Sequence, residues 1–503
     1  MSNKITLEQI QNFEGKYPKQ LWSLFFSEMW ERFCFYGMRG MLTFFMVTEL
    51  FFNAKDAQLQ YGATQAFVYA FTFIGGLFAD KILGFKKSLF WGGILMIVGS
   101  LILATDPKQF FFLGISFTVI GTGFFKPNIS TMVGQLYKSG DVRRDAGFSL
   151  FYSGINLGAL LGGYLCIAIG KGSIFSSFIA ENLRWNVAFG LAAVVMTISL
   201  ITFLITKKSL GPIGESPFQL KGLQGKKWYD YAVYVGALLA VPVIMTMVSK
   251  TEYTNYFMYV VGPATLIYLG YEMTKNKLAE NKKLLAALIF IVFSIIFWAF
   301  FEQSGGSLSI FAAGNLNDDL LGLTLDPNAV NNAANALFVI IFAPIVGLVW
   351  LALAKKKIEP NTVVKFGLAF IFLAIAFYIL YATRLFANVE GVTSLDIFTL
   401  SYFVMTLGEL CLSPIGLSIM TKLSPVRLQG MMMGMWFLAS AYGQYVAGIL
   451  GAGMTSPDEN ASLQEKLISF TNGYHTLAIY ALIAGVVLIA ISPLIRKLMQ
   501  EVK

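Results

Sequence analysis

The chain has 503 residues, of which 56% are hydrophobic and 13% charged, with a formal net charge of +9. Soluble proteins carry about 25% charged residues, so a single soluble domain, a string of such domains and a disordered chain are all excluded. The sequence is that of an integral membrane protein, and its cations, clustered in short loops between apolar runs, belong to a membrane surface and not to nucleic-acid binding.

The apolar stretches are continuous and long enough for helices that cross about 30 Å of hydrocarbon. Strands of an outer-membrane barrel would instead alternate over about 10 residues. Fourteen spans are predicted, near 21–50, 61–81, 88–105, 109–137, 145–170, 184–206, 229–249, 255–275, 284–306, 331–354, 362–383, 395–422, 428–453 and 473–496. The opening MSNKITLEQIQNFEGKYPKQ is too polar for a signal peptide, so the first run is expected to be retained as a spanning helix. Cys34, Cys166 and Cys411 are scattered through apolar runs and read as small packing residues.

The first span places Glu28, Glu31, Arg32 and Arg39 where lipid should be. A charge at mid-membrane costs about 2.5–3.5 kcal/mol on insertion scales, so such residues face a cavity or a partner. On a helical projection these four share a face about 140° wide with Phe35 and Tyr36. The second span contributes Tyr69 and ends in a Gly- and Lys-rich loop, where Asp80 can cap a helix end or pair with nearby cations. Lys126 lies in the fourth span beside Pro127, where a kink would open the helix. Tyr152 and Asn156 follow one turn apart in the fifth.

The connector from Lys207 to Lys227 is rich in Gly and Pro and marks a boundary between two bundles. Six spans precede it and eight follow. The 229–275 pair has no acidic residue mid-run, which fits a hairpin inserted into a six-plus-six arrangement. In the later spans Glu302 follows Trp298 by one turn, and Asn335, Glu409, and Trp436 with Ser440 are the remaining polar and aromatic groups at cavity-forming positions.

The expected organisation is an all-α membrane fold with a six-helix bundle over 1–206, a cytoplasmic linker over 207–228, an inserted hairpin over 229–275 and a second six-helix bundle over 276–503. Lys and Arg are concentrated in the loops after the even-numbered spans, which places those loops and both termini in the cytoplasm.

Buried acids and bases must pair or change protonation state. Glu28, Glu31, Glu302 and Glu409 face Arg32, Arg39 and Lys126, which leaves one carboxylate able to take up or release a proton. That is what a proton-coupled carrier needs; the competing reading is a static ion-pair network joining helices. An intramembrane enzyme is disfavoured, because there is no Ser/His pair, no H-E-x-x-H and, with one histidine, no metal cluster. A channel is disfavoured because Lys126, Glu302 and Glu409 do not form a filter ring.

These residues resemble a known family, the proton-dependent oligopeptide transporters of the major facilitator superfamily. Its first-helix signature E-x-x-E-R-F-x-Y-Y-G is similar to Glu28-Met29-Trp30-Glu31-Arg32-Phe33-Cys34-Phe35-Tyr36-Gly37. Its F-Y-x-x-I-N-x-G element corresponds to Phe151 through Gly158, and GTGFFKPN, FWAFFEQ, LGELCLSPIGLS and MMMGMWFLAS also resemble family segments. The likeness runs over essentially the whole chain.

The resemblance implies two six-helix bundles with an inserted helical pair, and alternating access around a central site for di- and tripeptides taken up with protons. It implies a monomer in the bacterial inner membrane, with no cofactor besides the coupling proton. By position, Glu28, Glu31 and Arg32 would form the proton-coupling group with Lys126 as cationic partner. Glu302 would bind the peptide amino group and pair with Arg39, while Arg39 and Lys126 would favour the carboxylate end. Tyr36, Asn156 and Asn335 would hydrogen-bond the backbone, and Tyr69, Trp298, Trp436 and Ser440 would line pockets. Glu409 would pair with Lys126 at the inner gate. Phe35 replaces the first Tyr of the family pair, which leaves open a same-fold carrier of another solute, such as nitrate or an amino-acid-derived compound. The one histidine, His475, lies at the outer end of the last span, so coupling is expected to run through carboxylates.

Overall fold

In hydrocarbon every backbone N–H and C=O must be satisfied within the protein, and a continuous apolar run does this as an α-helix. A computed structural model describes residues 5–138, 141–220, 227–412, 416–456, 458 and 460–500. Its helices are α1 (Leu7–Gln11), α2 (Lys19–Thr48), α3 (Ala54–Phe78), α4 (Phe85–Thr105), α5 (Phe111–Gln135), α6 (Arg144–Lys171) and α7 (Arg184–Thr206). There follow α8 (Pro217–Leu220), α9 (Lys227–Ser249), α10 (Thr251–Met273), α11 (Leu278–Phe301), α12 (Ser307–Asn315), α13 (Pro327–Lys355) and α14 (Thr362–Ala382). The last are α15 (Leu395–Leu412), α16 (Gly416–Leu423), α17 (Gln429–Met454), α18 (Leu463–Ala490) and α19 (Ser492–Met499). A two-stranded antiparallel hairpin, β1 (Asp319–Leu320) with β2 (Leu323–Thr324), interrupts the helices.

Each predicted span contains one long helix, and ten helical segments among the described residues are long and apolar enough to cross a membrane. The long helices outside that set are α2 and α5, where the charges of α2 and the Lys126-Pro127-Asn128 run of α5 lower the hydropathy, together with α10 and α17.

Some boundaries moved. The last span begins at Leu463, ten residues before its apolar run, because Ser462 and Glu465 form a capping box ahead of polar turns that the hydropathy pattern hides. The span near 284–306 ends as a helix at Phe301, and residues Glu302–Gly305 form a 3₁₀ turn before α12. The span near 395–422 divides into α15 and α16. Helix α5 runs through Pro127 without a break. Residues 221–226 of the predicted linker, and residues 413–415 of the LGELCLSPIGLS segment, lie outside the described residues.

The chain divides into two compact units, one comprising residues 1–41 and 67–249, the other 42–66 and 250–503. In the first, glycine lets helices meet backbone to backbone, as packing between membrane helices requires. A Cβ on Gly92 of α4 would lie 2.5 Å from the Gly121 carbonyl oxygen of α5, and one on Gly121 would lie 2.6 Å from that of Gly92. Asn128 Nδ2 donates to Ser88 Oγ at 2.7 Å across the same pair. Helix α9 packs on α5 and is also tied to α4, with Lys87 paired to Asp230 at 2.5 Å and Trp91 against Tyr234 at 4.7 Å.

In the second unit α14 is central, packed against α15 and α18, while α11 packs on α17. Aromatic edges fill the gaps: Phe290 meets Phe366 at 5.4 Å and Phe297 meets Phe370 at 5.6 Å. Helix α10 is held to α17 by Tyr445 Oη, which donates to Asn255 Oδ1 at 2.7 Å, and by Tyr442 Oη, which donates to the Met258 carbonyl.

Candidate functional site

Helix α2 turns its charged face inward within the first unit. Arg32 is 1% exposed, and Glu28 and Glu31 are equally buried. Arg32 Nε lies 3.3 Å from Glu28 Oε1, and the guanidinium is ion-paired and hydrogen-bonded to Glu31 Oε2. One cation therefore answers two carboxylates. Glu28 Oε2 and Glu31 Oε1 are buried with no hydrogen-bond partner. Lys126 is close enough for its charge to act on both.

The cluster is seated by α6. A Cβ on Gly158 would stand 2.0 Å from the Met29 carbonyl oxygen and 2.9 Å from Arg32 Cβ, and one on Gly162 would stand 2.2 Å from the Phe33 carbonyl oxygen. Absence of a side chain at these two positions, one turn apart, brings α6 onto the α2 backbone beside the charges.

Aromatic rings hold the cations. The Phe35 ring, 3% exposed, lies 5.0 Å from Arg32 Cζ. Tyr36 takes Arg39 at 5.6 Å and meets Phe35 edge-on at 5.2 Å. Tyr69 takes the Lys126 ammonium at 4.6 Å. Such contacts contribute about 0.5–2 kcal/mol each, more when dry. Asn156 turns to its own helix, donating to the Tyr152 carbonyl at 2.9 Å. Asp80 is exposed in a π-helical turn, Ala79–Leu83, and forms no ion pair among the described residues.

In the second unit Glu302 is buried at the break after α11. A broken helix leaves backbone groups without partners, and polar neighbours supply them. Thr43 Oγ1 donates to the Gly305 carbonyl at 2.6 Å, and Asn331 Nδ2 donates to the Ser304 carbonyl at 2.8 Å. Gln303 Nε2 reaches the Ala447 carbonyl at 3.0 Å, and Tyr402 Oη donates to Asn331 Oδ1 at 2.5 Å. Sequence reading passed over this set. Its signal was the spacing of Asn328, Asn331, Asn332 and Asn335 on one face of α13.

Asn335 Nδ2 donates to Glu409 Oε2 at 2.8 Å and to Thr406 Oγ1 at 3.1 Å, so two predicted residues from different helices meet, with Thr406 as an unforeseen third. Trp298 packs edge-on to Phe301 at 5.4 Å beside Gly443, where a Cβ would lie 2.7 Å from Trp298 Cβ. Trp436 is buried one turn before Ser440, whose hydroxyl donates to its carbonyl at 3.4 Å. Arg39 and Lys126 belong to the first unit, Glu302 and Glu409 to the second.

The first unit thus holds a buried acid pair around one arginine with aromatic rings on its cations, and the second holds a buried acid at a helix break. The POT family (PTR2) model matches residues 86–467, which hold Lys126, Glu302 and Glu409; α2 lies ahead of that range. The peptide transporter YePEPT of Yersinia enterocolitica is 34% identical over 461 residues, covering 86% of this chain and 88% of its own length. A di-/tripeptide transporter of Lactococcus lactis subsp. cremoris is 31% identical and covers 97% of both chains. The crystal structure of a peptide transporter POT in complex with sulfate, 32% identical, superposes with a TM-score of 0.81 over 98% of this chain and 99% of its own. This chain therefore belongs to the POT family, multi-pass membrane transporters built on the major facilitator fold.

Proposed function

We propose that this protein carries di- and tripeptides across the cytoplasmic (inner) membrane together with protons, by alternating access. Proton coupling rests on one observation above the others: two buried carboxylates share one arginine, and each keeps an oxygen without a partner. Two ionised acids against one cation in a dry site are unstable, so one carboxyl holds a proton unless a further cation approaches. The peptide class is supported by the names of the relatives.

In this reading Glu28, Glu31 and Arg32 are the coupling group and Lys126 its partner. Arg39 with Glu302 and Lys126 with Glu409 are gating pairs that alternate with substrate. A zwitterion of variable side chain needs a fixed acid and base, amide or hydroxyl groups for its peptide bond, and tolerant aromatic walls. Glu302 takes the amino end, Arg39 and Lys126 the carboxylate, Tyr36, Asn156 and Asn335 the peptide bond, and Tyr69, Trp298, Trp436 and Ser440 the side chains. Phe35 serves the site by stacking on Arg32. Residues 1–206 and 276–503 act as the two bundles, 207–228 as linker and 229–275 as inserted hairpin. The carrier works as a monomer with both termini cytoplasmic, catalyses no reaction and uses no cofactor besides the proton.

Uptake of labelled dialanine into proteoliposomes with an inward proton gradient tests this. Accumulation that collapses on adding a protonophore is expected. No accumulation by folded protein would overturn the peptide assignment and turn to other small solutes of the same fold.

A further inference from the structure

Away from the charge cluster, the first unit holds a cavity of about 990 Å³ where α4 begins and α7 ends, against the segment after α7. Four lysines line it: Lys86 and Lys87 in the first turn of α4, and Lys207 and Lys208 directly after α7. Glu215 is the one acid among its described lining residues. Lys86 Nζ donates to the Gly211 carbonyl at 2.5 Å and Lys87 is paired with Asp230. Lys207 and Lys208 are exposed and form no ion pair among the described residues, while Glu215 acts on Lys86 more strongly than Lys207 does. The cavity thus keeps positive charge that its own walls do not neutralise.

Phe90, Leu204 and Ile205 give the wall an apolar side. Below it Val194, Ile198, Ile201 and Ile205 recur at i, i+4, i+7 and i+11 on α7, and all four are exposed. On a membrane-spanning helix that stripe faces acyl chains, and lysines directly after the helix stand at headgroup depth. Unneutralised ammonium groups above an apolar track match an amphiphile with an anionic head. A zwitterionic head would bring its own cation to the lysines, and free phosphate would leave the apolar wall uncovered.

We propose that this cavity binds an anionic glycerophospholipid, its phosphate held by Lys207 and Lys208 with Lys86 behind them, its chains along the Val194–Ile205 stripe of α7. The proposal needs α7 to span a bilayer. It is independent of which solute is carried, and its test contains no peptide.

Native mass spectrometry of delipidated protein would be titrated with phosphatidylglycerol, phosphatidylcholine, inorganic phosphate and glycerol 3-phosphate. The chains compared are the wild type, the Lys207→Gln/Lys208→Gln double variant and a charge-matched Lys355→Gln/Lys356→Gln control. Phosphatidylglycerol is expected to bind wild type and control alike, and the double variant about 30-fold more weakly, at the strength of two juxtamembrane lysines. Should the double variant aggregate, Lys207→Gln and Lys208→Gln singly are each expected to lose about fivefold. Equal binding by the lysine variants and wild type would overturn the proposal, as would phosphatidylcholine binding as tightly. Inorganic phosphate or glycerol 3-phosphate binding as tightly as the lipid would reassign the cavity to a soluble anion and equally overturn it.

Discussion

Arg32 decides the behaviour of α2 because it is the one cation of that helix within ion-pair distance of both Glu28 and Glu31 among the described residues. Removing one partner of a buried ion pair costs about 3–5 kcal/mol, so Arg32→Gln is expected to unfold at markedly lower temperature than wild type in detergent. Glu31→Gln is a gentler change, since it keeps the shape of the neutral acid and leaves Arg32 paired with Glu28. We expect it to abolish gradient-driven uptake while leaving peptide counterflow, and proton-driven accumulation by this variant would sink the assignment of Glu31 as main proton carrier. Phe35 argues differently. Its ring lies against the Arg32 guanidinium, a buried contact of about 2 kcal/mol. Phe35→Tyr keeps the ring and is expected to retain stability and uptake, whereas Phe35→Leu lowers the melting midpoint and the rate together. The face of α2 was legible because a fixed helical period puts Glu28, Glu31, Arg32 and Arg39 side by side. The Asn335–Glu409–Thr406 contact was not, since it joins α13 to α15 and no spacing within one helix encodes a neighbour on another.

Helices place these residues, and their placement depends on where side chains are missing. Gly158→Ala would put a methyl 2.0 Å from the Met29 carbonyl oxygen, which no rotamer change relieves, so α6 must move off α2 and the Arg32 seat with it. Overpacking of this kind costs about 1–3 kcal/mol or more. We expect lower thermal stability and loss of uptake, with Gly236→Ala, which meets nothing within 4 Å on α9, as the neutral control. A second element-level device ties the N-terminal segment to the α5–α6 turn. Arg143 donates to the carbonyls of Phe13 and Gly15 at 3.1 and 3.2 Å and stacks on the Phe13 ring at 3.8 Å. Asp141 holds that guanidinium, and hydrogen bonds from Arg143 keep its carboxyl below the usual range. A lowered carboxyl stabilises the clamp above its ordinary value and loses that effect as pH falls through the lowered one. Protease cleavage within residues 5–15 is therefore expected to rise on acidification into that window, and to be fast at neutral pH in Asp141→Asn. Element type was readable in the apolar runs, because runs of this length have one solution in lipid, whereas the short β1–β2 hairpin gave no such signal. The ends were less so: hydropathy does not register the Ser462 capping box or the break at Glu302, which depend on single hydrogen bonds and on partners far along the chain.

At the scale of the molecule, orientation decides which end of each span meets the cytoplasm, and the cation distribution carries the proposed answer. Lys and Arg crowd the loops after α3, α5, α7, α10 and α13, and cytoplasmic loops are the ones enriched in these residues. The chain is well suited to a direct check, because Cys34, Cys166 and Cys411 are all buried and leave little background for a thiol reagent. Two exposed positions report opposite faces: Glu390, between α14 and α15, and Lys357, just after α13. With a membrane-impermeant maleimide on intact cells, Glu390→Cys is expected to label at once and Lys357→Cys only after permeabilisation. The reverse pattern would leave the fold, the family and the buried charge cluster untouched, but it would exchange the ends of the spans that meet the cytoplasm and the outside. The direction of net movement would not change with it, because proton and substrate travel together and an inward proton gradient drives both inward in either orientation.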